Sequence, residues 1–250
     1  MEQHYLIQQE KRDSVDKFVE KYKGVVPLNQ RVTETLRALI VNGVFEPEVR
    51  LTEELIASLF GVSRTPVRDA FTALVKEGFL VYSRRGLTIR QWSIDDFFNI
   101  YEIVMHLDAL AAQSAANHGL SPSARLKLLT SLELLETTAE AQQSAPDDQK
   151  LIEETAQYNH EFHMEIARNC GNEWLPPLLE SMRMKLLALR PCLKKEEFAP
   201  QYLGGHMEIL EAIITRNPQK AYEMAAEHIK HSVEQASPKS EWERGDIFLC

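Results

Sequence analysis

Cysteine is scarce in this 250-residue chain: Cys170, Cys192 and Cys250 are an odd number with no paired spacing. A disulfide framework is therefore excluded as the source of stability, and a reducing cytoplasm is the expected compartment. No apolar run approaches the roughly 20 residues that cross a bilayer, and Met1 to Lys23 is polar and charged rather than shaped like a signal sequence. No membrane partner is expected. Internal repeats and low-complexity tracts are missing too. Positive charge is the largest deficit, with 28 Lys and Arg against 37 Asp and Glu and a formal net charge of −9. That balance excludes a uniformly basic nucleic-acid binder.

The deficit is unevenly spread. Residues 27–92 hold nine Lys/Arg against seven Asp/Glu, whereas from residue 93 onward fourteen stand against twenty-five. A mildly basic head joined to an acidic body is compatible with DNA reading in which the body suppresses non-specific contacts. The length suits one large or two modest domains.

Within the head, Gly61-Val62-Ser63-Arg64-Thr65-Pro66-Val67-Arg68-Asp69-Ala70 is the most informative stretch. Gly61 is placed to stop one short helix, and Ser63 is placed to cap the next. Pro66 falls in the first turn, where its missing N–H costs nothing. Val67, Ala70, Phe71, Leu74 and Val75 follow at helical spacing and predict one buried face. The opposite face carries Arg64 and Arg68, four residues apart and so side by side, with Thr65 beside them. Upstream, Leu28, Val32, Leu36, Leu39 and Ile40 trace an amphipathic helix, and Leu51 to Phe60 trace a second with an acidic first turn. Downstream, Phe79–Tyr82 and Leu87–Ile89 are β-prone runs separated by Ser83-Arg84-Arg85-Gly86, a tight turn with two cations at its tip. Three helices and a basic hairpin predict a winged helix-turn-helix, which sends a helix N-terminus into the major groove.

The run Leu-x-Glu-x-x-Ile-Ala-x-x-Phe-Gly-Val-Ser-Arg-Thr-Pro-Val-Arg-Asp-Ala and the Glu77-Gly78 before the wing resemble the DNA-binding domain of GntR-type transcription regulators, over about residues 28–92. The resemblance implies a double-stranded DNA operator as partner. Ser63, Arg64, Thr65, Arg68, Arg84 and Arg85 are the expected DNA-binding residues: Arg64 and Arg68 on bases or phosphates, Ser63 and Thr65 on phosphates, Arg84 or Arg85 on the adjacent backbone or minor groove.

Residues 93–236 read as almost pure helix, with six segments and short breaks. Phe97, Tyr101, Val104, Leu107 and Ala111 mark one stripe, and Leu128, Leu129, Leu132 and Leu135 another. Later segments span about Gln149–Asn169, Trp174–Leu189, Gly205–Arg216 and Pro218–Ala236. The expected fold class is mainly α, an N-terminal winged helix-turn-helix followed by an all-α bundle. The expected organisation is an arm over 1–26, the head over 27–92, an effector-binding and dimerisation bundle over 93–236, and a tail over 237–250.

In the bundle, His163 stands one turn after Asn159, His206 leads the stripe Ile209, Leu210, Ile213, and His228 shares a face with Ala221, Met224, Ala225 and Ser232. All three histidines face helix packing. Gathered imidazoles can bind a divalent transition metal, and separately packed core histidines are the alternative. His160, His118 and His231 read as solvated or boundary positions, and Trp92, Trp174 and Trp242 as packing anchors.

Asn159-His160-Glu161-Phe162-His163, Asn169-Cys170-Gly171-Asn172, Gly205-His206 and His228-Ile229 resemble the FCD ligand-binding domain that often follows a GntR-type head. The resemblance implies a metal set of one Asp and three His. His163, His206 and His228 match the histidines, and Asn159 stands where the Asp is usual, so weaker binding of zinc or nickel is expected. Val104 stands where a Tyr-Glu-x-Arg motif usually has its Arg, so the protein is expected either to meet an anionic effector with another cation or to bind something different. His106 is the polar side chain nearby.

Together these expectations describe a cytoplasmic, homodimeric regulator whose operator affinity is set by a small organic acid. One alternative is a constitutive DNA-binding dimer with a purely structural bundle. The other is a metal-dependent enzyme, for which Glu161 is the only evident general base and stands on a different part of the helix turn from His163.

Overall fold

The computed structural model describes residues 27–45, 49–189 and 205–236. The expected arm over 1–26, the tail over 237–250, the Pro191 to Tyr202 connection, Cys192, Cys250 and Trp242 lie outside these residues. The described residues divide into two compact units, the first comprising residues up to Ser93 together with Leu187–Leu189 and the second the others from Ile94 on.

The first unit contains α1 (Leu28–Val41), α2 (Glu53–Phe60), α3 (Arg64–Glu77), β1 (Leu80–Ser83) and β2 (Gly86–Ile89). The stripe Val32, Leu36, Leu39, Ile40 of α1 is buried together with Val67, Ala70, Phe71 and Leu74 of α3. The α1–α3 pair is also fastened by Arg37, whose Nε and Nη2 donate to the Glu77 carboxylate at 3.0 and 2.9 Å. Thr52 caps α2 by accepting from the Leu55 N–H at 3.2 Å, and Glu53 and Glu54 follow in the first turn, where the helix dipole favours carboxylates. Gly61 ends α2 with φ +64, a left-handed conformation that an L side chain adopts only at a cost. Ser63 takes the extended N-cap conformation of α3, but its hydroxyl makes no capping hydrogen bond. The capping expectation is thus corrected: the hydroxyl stays exposed at the helix mouth.

The two strands pair antiparallel from Leu80↔Ile89 to Ser83↔Gly86, leaving Arg84 and Arg85 as a two-residue loop. Gly86 takes φ +108, a backbone conformation that L side chains rarely adopt.

The second unit is α4 (Ile94–His118), α5 (Pro122–Ser144), α6 (Gln149–Arg168), α7 (Leu175–Leu189, of which Leu187–Leu189 group with the first unit), α8 (His206–Ile214) and α9 (Pro218–Ala236). Ser121 and Asp148 cap α5 and α6, their side chains accepting from Ala124 N at 3.1 Å and from Lys150 N at 2.9 Å. Helix α4 lies against α6, α8 and α9, and α5 packs along α6. The core holds Phe97, Val104, Leu128, Leu132, Leu135, Phe162, Leu179, Ile209, Leu210 and Ile213. Three apolar residues expected on packed faces are outside: Leu28 of the first unit is 46%, and Leu129 and Trp174 of the second are 38% and 73% exposed. Trp174 immediately precedes α7, whose first residue, Leu175, is buried.

Candidate functional site

All six expected DNA-binding residues of the head, Ser63, Arg64, Thr65, Arg68, Arg84 and Arg85, are exposed. Pro66 and Val67 are buried beneath α3, so the first turn of that helix is anchored from behind while Arg64, Thr65 and Arg68 face outward. The two α3 arginines are held by the acidic first turn of α2. Arg64 Nη1 lies 2.6 Å from Glu54 Oε1, and Arg68 donates from Nε and Nη2 to the two Glu53 oxygens at 2.8 and 2.9 Å. These pairs aim the guanidiniums while leaving them within reach of a competing anion, since exposed ion pairs are weak. They were not foreseen in the sequence, where Glu53 and Glu54 read only as first-turn residues suited to the helix dipole.

In the bundle, three helices bring His163 (α6), His206 (α8) and His228 (α9) together. One ligand nitrogen from each lies within 4.8 Å of the others, and all three side chains are buried. Ring centroids are 4.1 Å apart for His206–His228, 5.3 Å for His163–His228 and 5.4 Å for His163–His206. Phe162 closes one side edge-on, 4.9 Å from the His206 ring. Asn159 joins the group, its Oδ1 accepting from His206 Nε2 at 3.0 Å.

Behind His163 stands a carboxylate that the sequence pattern did not single out. Asp108 of α4 places Oδ1 3.3 Å from His163 Nδ1, and its Oδ2 accepts from Arg183 Nη1 of α7 at 2.6 Å. Burial by itself would raise the Asp108 pKa, but the Arg183 charge and then the contact with His163 outweigh it and hold this carboxyl well below the usual range. Burial lowers His163 to about 3, helped by Arg183 and opposed by Asp108. The imidazole is therefore neutral near pH 7, as metal ligation requires. Nε2 of His163 is buried without a hydrogen-bond partner. An orphaned imidazole nitrogen facing two other imidazoles fits a cation-binding role, because a desolvated polar atom with no partner is otherwise costly. Three imidazoles and one amide oxygen are a donor set suited to a borderline-soft divalent ion such as zinc or nickel.

Val104 is fully buried and apolar. His106 is exposed, its Nδ1 3.2 Å from the Tyr222 hydroxyl. His118 and His231 are exposed, as expected. His160 holds a boundary position, its side chain 15% exposed and its Nε2 3.4 Å from Glu180. Glu161 turns away to an ion pair with Arg168 at 3.0 Å. Trp92 is buried under the Arg90 guanidinium, 4.5 Å from the ring centroid.

Comparison with known proteins matches both parts of the chain. Residues 28–89 match the profile of bacterial regulatory proteins of the gntR family, and residues 99–231 match the FCD domain. The chain is 30% identical over 202 residues to the HTH-type transcriptional regulator YdhC of Bacillus subtilis, covering 80% of this chain and 86% of that protein. It is 27% identical over 191 residues to the gluconate operon transcriptional repressor of the same organism, covering 75% of this chain and 76% of the relative. Among solved structures, E. coli McbR/YncC superposes with a TM-score of 0.69 at 21% identity, covering 87% of this chain and 99% of that one. That likeness carries the fold.

Proposed function

We infer what this chain does from its family: it belongs to the gntR family of bacterial regulatory proteins and carries an FCD domain. It is a DNA-binding transcription regulator rather than an enzyme, as are the relatives it matches. The finer reading is ours. The head reads its operator with Arg64 and Arg68 from the N-terminus of α3, with Ser63 and Thr65 on phosphates and Arg84 or Arg85 on the neighbouring backbone or minor groove. The observation that supports this is the exposure of those six side chains on an anchored helix and a hairpin tip. The cytoplasm is the compartment in which such a protein meets its operator, and no described helix is long and apolar enough to cross a membrane.

In the bundle, His163, His206, His228 and Asn159 are the residues that would hold a divalent transition metal. A metal bound there would act as a Lewis acid that attracts an anionic group. The donors are all neutral, so the full charge of a divalent ion is left for an anionic effector to balance. A small organic acid is therefore the effector class, and the gluconate operon repressor among the relatives is in keeping with it. The effector alters operator affinity only through different affinities for two arrangements of the paired heads.

The pairing of heads requires a homodimer, since recognition helices related by a two-fold axis read inverted half-sites. Ile103 and Leu110 of α4, seven residues apart on one helix face, are 45% and 39% exposed and offer apolar surface for a second copy. Sequencing the genomic DNA retained by the purified protein tests the DNA-reading part of this proposal. Recovery of approximate inverted repeats upholds it, and recovery of no sequence preference overturns it. Sedimentation with and without such a fragment tests the dimer, which a monomer bound at full affinity to one asymmetric half-site would contradict.

A further inference from the structure

His163 has one hydrogen-bonded nitrogen and one bare nitrogen, and the difference traces to two residues outside the histidine cluster. Nδ1 faces Asp108 Oδ1 at 3.3 Å, while the buried Nε2 has no partner. Asp108 Oδ2 accepts from Arg183 Nη1 at 2.6 Å, across 75 residues of sequence. Asp108, His163 and Arg183 are 3%, 2% and 8% exposed, so water does not stand in for any of these contacts.

We propose that Asp108 and Arg183 are the positioning residues of the histidine cluster: Asp108 keeps the ring proton of His163 on Nδ1, leaving Nε2 as a lone-pair donor for a divalent metal, and Arg183 fixes the orientation of the Asp108 carboxyl group. The proposal rests on the metal-binding reading of the cluster. Its logic is one of donors and acceptors. A guanidinium only donates, an ionised carboxylate only accepts, and a neutral imidazole carries one N–H. With Asp108 against Nδ1, the proton belongs on Nδ1 and Nε2 is left as an acceptor. The chain Arg183→Asp108←His163 then sets both the tautomer and the plane of the ring before any ion arrives. Carboxylates in this place behind a ligating histidine change metal affinity by about 10–100-fold. The same chain ties three helices, α4, α6 and α7, to the orientation of one ligand ring.

The Asp108→Asn variant tests this with almost no change of shape. Because Arg183 only donates, the introduced amide must turn its oxygen to Nη1 and its NH2 to His163 Nδ1. The ring then accepts at Nδ1 and carries its proton on Nε2, where it blocks ligation. Zinc affinity, measured near neutral pH by competition with a chromophoric chelator, should fall about 10–100-fold. Heteronuclear NMR of the metal-free protein should show the His163 proton on Nδ1 in the parent and on Nε2 in the variant. Combining Asp108→Asn with Arg183→Gln frees the amide to turn over, since a glutamine side chain both donates and accepts, and should recover part of the lost affinity. A merely structural role predicts that the double variant is the worse of the two.

Thermal unfolding identifies any variant that fails to fold, and the parent tautomer decides the matter without a variant. A His163 proton on Nε2 in the parent overturns the proposal. Zinc binding by the parent that is unchanged in Asp108→Asn overturns the positioning role and leaves the metal reading standing. A parent that takes up no zinc overturns both.

Discussion

Arg68 grips Glu53 with two nitrogens, at 2.8 and 2.9 Å, so the helix proposed to read DNA is fastened to the one before it through the side chain proposed to do the reading. Both partners are on the surface, and the contact lowers the Glu53 pKa mainly through the hydrogen bonds from Arg68. A DNA phosphate or guanine edge would have to displace the carboxylate.

Removing the carboxylate should therefore act oppositely to removing the cation. Arg64→Ala or Arg68→Ala should lower operator affinity on the order of ten- to a hundredfold and relax base preference. Glu53→Gln should instead raise affinity for DNA of any sequence, with a gain that shrinks as salt is added. Fluorescence anisotropy with operator and scrambled duplexes reads both effects. Parent-like affinity in both arginine variants would sink the assignment of the reading residues.

In the histidine cluster, His163→Ala and His206→Ala should each abolish tight binding of zinc or nickel. Asn159→Asp should strengthen it, because a carboxylate adds charge that the amide lacks. Elemental analysis and chelator competition on stripped and reloaded protein provide the measurement. Undiminished metal uptake in both histidine variants would leave the cluster as packed core and favour a bundle that only dimerises.

Acid should destabilise the metal-free bundle from a mildly acidic pH downward. His163 titrates at about 3 when folded, and in the unfolded chain at about 6.5. Between those values the unfolded state binds a proton that the folded state does not, so stability is full above the upper value and lost as pH falls toward the lower one. The slope from this residue is about 1.4 kcal/mol per pH unit at most. Asp108, with its pKa depressed in the fold, adds to the loss below the ordinary carboxylate value near 3.8. Urea unfolding across this range, compared with His163→Gln, should show the variant with the shallower slope. Equal slopes would mean that burial does not keep this ring neutral.

Phe162 links the core to the cluster, being fully buried and edge-on to His206 at 4.9 Å and to His163 at 5.6 Å. Phe162→Ala should cost about 3–5 kcal/mol of stability and weaken metal binding as the rings gain freedom. Phe162→Leu should do less of both. Denaturant melts and the same chelator competition separate the two effects, and a variant with intact stability would show that the cavity is refilled by its neighbours.

Local pattern carried most of the architecture. The 3.6-residue spacing of Val67, Ala70, Phe71 and Leu74 identifies the buried side of α3, and hence which arginines face out, because a helix relates neighbours three and four apart without reference to the rest of the chain. Glycine at 61 and 86 marks left-handed backbone for the same local reason. The inward direction of His163, His206 and His228 was legible in their stripes, and all three are buried. Where pattern failed, the deciding neighbour was distant. Leu129 belongs to an apolar stripe yet is exposed because nothing in the described bundle covers that edge of α5. Ser63 has the right identity for a cap, but its hydroxyl is not turned to the helix.

By itself the sequence determined the two-part organisation, the reading helix with its hairpin, and three histidines on inward faces, since each follows from periodicity, turn chemistry and residue type over a few turns of chain. Only the tertiary structure decided that those histidines meet, that Asn159 bonds His206, that Glu53 and Glu54 hold the head's arginines, and that Asp108 stands between His163 and Arg183. Those contacts join helices whose residues lie 15, 47 and 75 positions apart. Helical periodicity says which way a side chain points, and packing alone says what it meets.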